Sequence, residues 1–146
     1  MKEKILISRC LLGEPCRYDG KSKPVSHIEK LSEKYKLISV CPEVEGGLST
    51  PRLPCELKGG LVIRRDGKDL TSPYEKGAKI SLDLCRKHDI KIALLKEKSP
   101  SCGKSFIYDG TFTGTLKEGQ GVTAKLLSQN NIKIYSEEDF DELIKK

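Results

Sequence analysis

The amino-acid sequence predicts an α/β fold: a mostly parallel, Rossmann-like sheet with flanking helices and one or two β-hairpins. Short apolar runs of strand length alternate with stretches of helical spacing along the 146 residues, and this alternation favours a parallel sheet. Residues 90–95 are nearly all apolar, as expected of a central strand that is buried on both faces. Because no internal repeat or linker interrupts the pattern, we expect one domain over residues 1–146.

The first half of the chain supplies two strands and a helix, followed by a hairpin and a longer helix. In order, the first elements are a strand at 4–8, a helix at 25–35, a strand at 37–40 and a Gly- and Pro-rich loop at 46–54. Asp66-Gly67 predicts a hairpin, because this dipeptide suits a tight turn between strands. Residues 72–75 read Ser-Pro-Tyr-Glu and predict a capped helix with Pro73 at its first position, running to about His88.

The second half continues the alternation after the central strand. Asp109-Gly110 predicts a second hairpin, which joins residues 106–108 to residues 111–113. A helix at 121–127, a strand at 132–135 and a last helix follow in that order. Ser136 is expected to cap the last helix, in which acidic residues come first and lysines last, as the helix macrodipole favours.

Composition and charge limit the classes of function. Lysines and arginines number 27 and acidic residues 21, which gives a net charge of +6 with the two signs scattered. The lack of a basic stripe argues against direct nucleic-acid binding, whereas a small anionic substrate fits this charge. No apolar run approaches the roughly 18 residues that span a bilayer, and the N-terminal residues do not resemble a secretory signal. We therefore expect a soluble, cytoplasmic protein.

Cysteines are unusually frequent for such a chain; the six are Cys10, Cys16, Cys41, Cys55, Cys85 and Cys102. No pair has the C-x-x-C spacing of a zinc ribbon or a thioredoxin-like site. Cys10 lies just past the first predicted strand, Cys41 at the end of the second, and Cys102 in the loop after the central strand. The carboxyl ends of parallel strands share one edge of the sheet, where ligands bind. We therefore expect these three thiols to converge.

Three convergent thiolates suit either zinc or an iron–sulfur cluster. A closed zinc site needs a fourth ligand, for which Cys16 is the candidate. If three cysteines hold a cubane cluster instead, one iron has no protein thiolate and can act as a Lewis acid. Cys85, on the apolar face of a predicted helix, is expected to be a packing residue, and Cys55 a structural or spare thiol.

Side chains next to these cysteines indicate candidate catalytic and binding roles. Glu43 and Glu45 closely follow the second cysteine of the constellation, and one of them is the candidate general base. Ser99 adds a hydroxyl in the loop that contains the third. The candidate substrate-binding residues are Ser101, Arg52 and Lys104, which lie in or beside the site loops.

Six motifs are distributed over nearly the whole chain. They are Ser-Arg-Cys-Leu-Leu-Gly at 8–13, Cys-Arg-Tyr-Asp-Gly at 16–20, Cys-Pro-Glu at 41–43, Gly-Gly-Leu-Ser-Thr-Pro-Arg at 46–52, Lys-Ser-Pro-Ser-Cys-Gly at 98–103 and Tyr-Asp-Gly-Thr-Phe at 108–112. These motifs resemble the signature of the thiouracil desulfidase family (TudS), in its short, single-domain form.

The resemblance implies a cofactor and a reaction. It implies a [4Fe–4S] cluster on three cysteines, which match Cys10, Cys41 and Cys102 here, with an open iron that binds the substrate sulfur. A thiolated pyrimidine of the 2-thiouracil type would be converted to uracil without net redox change. The acidic residue that activates water matches Glu43, and the serine that orients or protonates the intermediate matches Ser99.

Two extra thiols leave alternatives open. Cys16 or Cys55 either ligates the fourth iron and closes it, or accepts the removed sulfur as a persulfide. The alternative function is a zinc- or cluster-binding structural or sulfur-carrier protein without desulfidase turnover. A free base, a nucleotide and a thiolated nucleoside in RNA are all compatible with the sequence as substrates.

Overall fold

The computed structural model describes residues 2–14, 17–21 and 24–145. In these ranges the strands are β1 (Glu3–Ser8), β2 (Tyr35–Val40), β3 (Cys55–Lys58), β4 (Leu61–Arg64), β5 (Ile92–Leu95), β6 (Phe106–Tyr108), β7 (Leu116–Glu118) and β8 (Lys133–Ser136). The helices are α1 (Ile28–Lys34), α2 (Pro42–Glu45), α3 (Thr71–His88), α4 (Val122–Gln129) and α5 (Phe140–Lys145), with 3₁₀ turns at Arg9–Leu12 and Glu137–Asp139. None of these described helices is both long and apolar enough to cross a membrane.

Four parallel strands form the central sheet in the order β2-β1-β5-β8. This arrangement confirms the predicted α/β class, and β5 lies in the interior of the sheet, as its apolar sequence predicted. The chain passes from β1 to β2 on one side and then crosses to β5 on the other, so the strand order reverses between β1 and β5. A crevice forms at such a reversal, outside the carboxyl ends of the strands.

Alternating side chains of β1 pack into two apolar layers, one on each face of the sheet. Ile5 and Ile7 belong to a cluster with Leu31 of α1 and Leu143 of α5. Leu6 packs on the other face, with side chains of α3 and α4. All three β1 residues are 0% exposed, so the end of this strand is held rigidly by packing on both sides.

The antiparallel pair β3–β4 adds a strand to the first predicted hairpin. β3 pairs with β4 across Gly59-Gly60, whose φ angles of 57° and 82° suit a tight glycine turn. The predicted turn at Asp66-Gly67 does form, because the Gly67 N–H donates to the Arg64 carbonyl at 2.7 Å. The chain after that turn pairs back onto β4 through a bridge between Ile63 and Asp69 and through the Leu70 N–H, which donates to the Val62 carbonyl at 2.8 Å. The predicted hairpin therefore forms, and β4 pairs over a longer stretch with β3.

The second hairpin joins β6 to β7 and not to the residues directly after the Asp-Gly pair, so that part of the prediction is wrong. The Asp109 carboxylate accepts hydrogen bonds from the backbone N–H (3.0 Å) and the hydroxyl (2.6 Å) of Thr111. Oε1 of Glu56 accepts the N–H groups of Gly110 and Phe112, each at 3.0 Å. Because carboxylates engage these N–H groups, they are not available to pair with β6, and a longer loop precedes β7.

One predicted helix cap is wrong and the other is confirmed. α3 begins at Thr71, with Leu70 at the capping position and no side-chain cap. Leu70 is buried in the core, and the Thr71 N–H is instead engaged by the Asp69 carboxylate at 2.9 Å. Ser136 does cap the last helical segment, because its hydroxyl accepts a backbone N–H at 3.1 Å.

α2, a short helix that the sequence did not predict, packs in backbone contact with α3. A Cβ atom at Gly77 of α3 would lie 1.9 Å from the carbonyl oxygen of Pro42, and one at Gly46 would lie 2.1 Å from that of Pro73. No side chain fits at either position. The residues that follow β2 are thereby held against the long helix.

Gly77→Ala tests this contact. Alanine favours a helix by about 1 kcal/mol over glycine, but here the added methyl group collides with backbone, so the two helices must separate. We expect the free energy of unfolding to fall by about 1–3 kcal/mol. Denaturant unfolding measures the change, with Lys79→Ala on the exposed face of α3 as the control. A midpoint at or above that of the wild type would contradict the close packing of α2 on α3.

Candidate active site

A cavity of about 360 Å³ opens at the carboxyl ends of β1, β2 and β5. Cys10 lines it from the 3₁₀ turn after β1, Cys41 from the position after β2, and Cys102 from the loop after β5. Their exposed fractions are 7%, 8% and 4%, and none of them is in a disulfide. The structure therefore brings together the three cysteines that the order of the strands predicted to converge.

Burial raises the pKa of the Cys102 thiol to about 12. Hydrogen bonds with the hydroxyls of Ser8 and Ser101 oppose this rise, and the nearby Glu43 and Cys41 add to it. A thiol with this pKa is protonated near neutral pH, so a metal centre that binds here must displace the proton.

Glu43, in the first turn of α2, lies on the polar side of the cavity. Its Oε2 accepts hydrogen bonds from Arg52, through Nε (3.2 Å) and Nη2, and from the Tyr74 hydroxyl (3.2 Å). Its Oε1 accepts a hydrogen bond from the hydroxyl of Ser99 at 3.3 Å. One carboxylate oxygen is thus held by a cation and a phenol, while the other contacts the serine.

Ser99 joins this carboxylate to the loop that carries the third cysteine. Its hydroxyl oxygen accepts the backbone N–H groups of Ser101 (3.1 Å) and Cys102 (3.0 Å). With two N–H donors on the oxygen, the hydroxyl proton is directed to Glu43. The candidate base, the candidate proton donor and a candidate metal ligand therefore belong to one hydrogen-bonded unit.

Arg52 belongs to the cavity wall, but its charge is already paired. Its side chain is 8% exposed and forms an ion pair with Glu43, and its Nη1 donates to the carbonyl of Ser49 at 3.0 Å. Burial lowers the pKa of Arg52, but the charge and hydrogen bond of Glu43, together with the nearby Tyr74 and Cys41, raise it overall. The arginine therefore positions Glu43, and its predicted role in binding an anionic substrate gains no support from the geometry.

The other two predicted substrate-binding residues are not part of the cavity wall. Ser101 is 0% exposed, and its hydroxyl shares a hydrogen bond of 2.7 Å with that of Thr123. Nζ of Lys104 donates to Oδ2 of Asp139 at 2.5 Å. Both residues thus stabilise the loop after β5. Cys16, the candidate fourth ligand, lies outside the described residues.

Two buried carboxylates that the sequence did not single out organise the cavity walls. Glu56 of β3 holds the loop after β6, as described above. Glu97, just after β5, is 3% exposed, and its Oε1 holds the loop that contains Ser99 and Cys102. This oxygen accepts four backbone N–H groups, those of Lys98 (3.2 Å), Lys104 (2.8 Å), Ser105 (2.9 Å) and Phe106 (3.2 Å). In the sequence, the one feature that could have indicated Glu97 is that an acidic residue closely follows a buried strand.

The two remaining described cysteines lie in different environments. Cys55 lines the cavity at 6% exposure; burial raises the pKa of its thiol, and a hydrogen bond with Tyr74 opposes the rise. Burial also raises the pKa of Tyr74, so its hydroxyl stays protonated as a donor to Glu43. Cys85 is 1% exposed in the core between α3 and the sheet, and burial raises its pKa to about 11. The predicted packing role of Cys85 is confirmed.

The rest of the cavity wall combines aromatic and cationic side chains. Tyr18, Tyr108 and Phe112 line the cavity, as do Arg65 and Lys98. Aromatic side chains offer flat apolar faces for stacking, and a few polar groups among them fix the orientation of a ligand. The wall therefore suits a small, flat, polar ring.

Comparison with known proteins assigns the chain to a family. A sequence model of 2-thiouracil desulfurase matches residues 5–139. The chain belongs to the 2-thiouracil desulfurase family. The matched range includes β1 from Ile5 onward, all of β2 and β5, and every described residue of the cavity wall.

Two proteins of similar length resemble the chain over nearly its whole length. A solved structure of a [4Fe–4S]-dependent thiouracil desulfidase, TudS, is 45% identical with a TM-score of 0.93, and the match covers 97% of this chain and 95% of that one. YbbK, an uncharacterized protein of Bacillus subtilis (strain 168), is 39% identical over 150 residues, which covers 96% of this chain and 99% of YbbK. The family resemblance inferred from the motifs is confirmed, and the chain shares the fold of TudS.

Proposed function

We propose that the protein is an iron–sulfur enzyme that removes sulfur from 2-thiouracil-type pyrimidines without net redox change. The proposed cofactor is a [4Fe–4S] cluster held by Cys10, Cys41 and Cys102. Water supplies the oxygen that replaces sulfur at the ring carbon, and sulfide is released, so no oxidant or reductant is consumed. One observation carries the proposal: three buried thiols from three strand ends line one cavity, beside the hydrogen-bonded Glu43 and Ser99.

The donor set favours a cubane cluster over a single metal ion. In the part of the chain that the structure describes, no group of three or more His, Cys, Asp and Glu side chains is arranged to hold one ion. The sulfurs around one zinc ion each lie about 2.3 Å from it. Thiolates that bind a cubane attach to separate iron atoms and stand further apart. Buried thiols at three different strand ends fit this second arrangement, and thiolate is the ligand such clusters use.

In the proposal, the chain's own side chains carry the proton chemistry. Cys10, Cys41 and Cys102 would hold the cluster, which would supply a Lewis-acidic iron for the thiocarbonyl group. Oε1 of Glu43 takes a proton from the attacking water, because Arg52 and Tyr74 hold the other oxygen. The Ser99 hydroxyl, 3.3 Å from Oε1, orients the substrate or returns a proton to it. The ion pair with Arg52 keeps the orientation of the Glu43 carboxylate fixed.

Cys55 is not required as a sulfur acceptor. A persulfide on its thiol would form from sulfide only with the loss of two electrons, and the proposed reaction provides no oxidant. Its contact with Tyr74 links it instead to a side chain that holds Glu43. We propose a supporting role for this thiol, through the position of the Tyr74 hydroxyl.

The size of the cavity supports a small-molecule substrate. A volume of about 360 Å³ lies near the lower end of the range of about 300–1,000 Å³ that small-ligand sites occupy. A thiopyrimidine base is a ligand of this class. We also propose a cytoplasmic location, since the thiolate ligands of the cluster require a reducing compartment.

Turnover of 2-thiouracil by the reconstituted protein tests the proposed function. After anaerobic incubation with iron and sulfide, the protein is expected to be brown and to convert 2-thiouracil to uracil. Chromatography measures uracil and a colorimetric assay measures sulfide, and the two should appear in equal amounts without added reductant. A colourless zinc protein that forms no uracil would support the structural alternative, and a brown protein that forms none would support a sulfur carrier.

Ser99→Ala is expected to lower kcat while the cluster stays bound. The variant removes the donor to Glu43 and leaves two backbone N–H groups without their acceptor. A hydrogen bond to a charged group contributes about 1.5–3 kcal/mol, which corresponds to a roughly 10- to 100-fold effect on rate. Steady-state kinetics at matched iron content measures it, with Ser105→Ala, an exposed serine of the same loop, as the control. A wild-type kcat for Ser99→Ala would exclude the proposed role.

A further inference from the structure

Glu97 presents a carboxylate to the cavity that the proposed chemistry does not use. The cavity wall contains three described carboxylates, those of Glu43, Glu56 and Glu97. Both oxygens of Glu43 already accept hydrogen bonds from protein side chains. Glu56 and Glu97 both differ from Glu43, because in each of them Oε1 accepts backbone N–H groups while no described residue donates to Oε2. Of these two, Glu97 is the one that lies in the loop of Ser99 and Cys102.

Oε2 of Glu97 is accessible to the cavity. Among the described residues, every fully buried side-chain nitrogen or oxygen has a hydrogen-bond partner. Since Oε2 has none, it is not fully buried, although the residue as a whole is only 3% exposed. Glu97 lines the cavity, so its small exposed area faces that space. An acceptor without a partner therefore lies in an otherwise buried wall.

The backbone of Glu97 is fixed on both sides, so this acceptor is preorganised. Its N–H donates to Oε1 of Glu137 at 2.7 Å, and its carbonyl accepts a hydrogen bond from Nζ of Lys96 at 2.9 Å. Lys96 in turn is paired with Glu137 at 2.9 Å. A group held in this way loses little conformational freedom when a ligand binds to it.

We propose that Oε2 of Glu97 accepts a hydrogen bond from a ring N–H of the thiopyrimidine and thereby determines substrate specificity. This inference rests on the proposed function. In 2-thiouracil the carbon that bears sulfur is flanked by two ring N–H groups. A carboxylate is an acceptor only, so it binds such a ring and disfavours one in which an alkyl group replaces the N–H. Glu97 shares its loop with Ser99 and Cys102, on the side of the cavity where the chemistry is proposed.

Glu97→Gln separates substrate recognition from loop structure. The amide oxygen can still accept the four backbone N–H groups, while an NH₂ donor replaces Oε2. Glu56→Gln is the matched control, because Glu56 is also a buried wall carboxylate with one oxygen engaged by backbone N–H groups. Iron content and thermal unfolding are measured for both variants, so that kinetics are compared only between loaded, folded proteins.

Three substrates complete the test: 2-thiouracil, 1-methyl-2-thiouracil and 3-methyl-2-thiouracil. For the wild type, kcat/KM is expected to fall roughly 10- to 100-fold for the methylated analogue that lacks the recognised N–H. Glu97→Gln should lower kcat/KM for 2-thiouracil by a similar factor. In this variant, the same methyl group on the substrate should lower kcat/KM much less than it does in the wild type. In Glu56→Gln, that methyl group should lower kcat/KM by the same factor as in the wild type.

Two outcomes would overturn the inference. The first is that Glu97→Gln lowers kcat/KM by the same factor for all three substrates. Effects that multiply in this way are independent, so Oε2 would not contact the methylated ring position. The second is that the wild type converts both methylated analogues with the same kcat/KM as 2-thiouracil. This measurement does not depend on the folding of any variant. Both outcomes differ from a failure of the proposed function, in which the iron-loaded wild type would form no uracil from 2-thiouracil.

Discussion

Alanine in place of Cys10, Cys41 or Cys102 is expected to remove both the bound iron and the desulfuration activity. Each of these thiols is buried in the cavity wall and comes from a different loop. With one of them absent, a cubane would have two iron atoms without a protein thiolate, and a buried apolar methyl group cannot replace the ligand. Iron and sulfide content, visible absorption and formation of uracil from 2-thiouracil measure the effect.

Cys85→Ala is the matched control for these variants. Cys85 is buried to 1% exposure, but it packs in the core between α3 and the sheet, away from the cavity wall. Its replacement removes packing without removing a ligand, so we expect a lower unfolding temperature with unchanged iron per folded protein. Full iron content in the Cys10, Cys41 and Cys102 variants, or loss of iron in Cys85→Ala alone, would contradict the assigned ligand set.

Glu43→Gln is expected to retain the cluster and to lower kcat by about 10²- to 10⁴-fold, the usual contribution of a general base. The amide keeps the size of the side chain but cannot take a proton from water. It also leaves the buried guanidinium of Arg52 without its counter-ion, so the unfolding temperature should fall as well. Kinetics should therefore be measured well below that temperature and at matched iron content.

Glu45→Gln is the control for the neighbouring acid of α2. Glu45 pairs with Arg9 at 2.9 Å and its side chain is 38% exposed, and exposed pairs of this kind contribute about 0–1 kcal/mol. We expect a kcat near that of the wild type. Full activity of loaded Glu43→Gln, or an equal loss in both variants, would refute Glu43 as the base.

Strand order explains why so much of the site was predictable. Cys10, Cys41 and Cys102 are far apart in the chain, but each follows a strand whose apolar sequence is unambiguous. Since β1, β2 and β5 are parallel, their carboxyl ends meet at one edge whatever the loops do. Glu43 and Ser99 were predictable as side chains next to these cysteines, and the family motifs matched the same positions.

The cavity walls were not predictable in the same way, because contacts between distant residues fix them. β3 follows a Gly- and Pro-rich loop, and its side chain Glu56 binds the backbone of Gly110 and Phe112, more than fifty positions later. That contact prevents the hairpin that Asp109-Gly110 indicates locally. Arg52 likewise carries no local sign that its partner is a carboxylate rather than a substrate.

The iron environments in the reconstituted protein test the central claim most directly, namely that three thiolates hold the cluster and leave one iron open. Mössbauer spectra of the ⁵⁷Fe-loaded protein should resolve one iron that responds to 2-thiouracil and three that do not. Four irons that are all unaffected by 2-thiouracil would show that a fourth protein ligand closes the cluster, and this result would contradict the account.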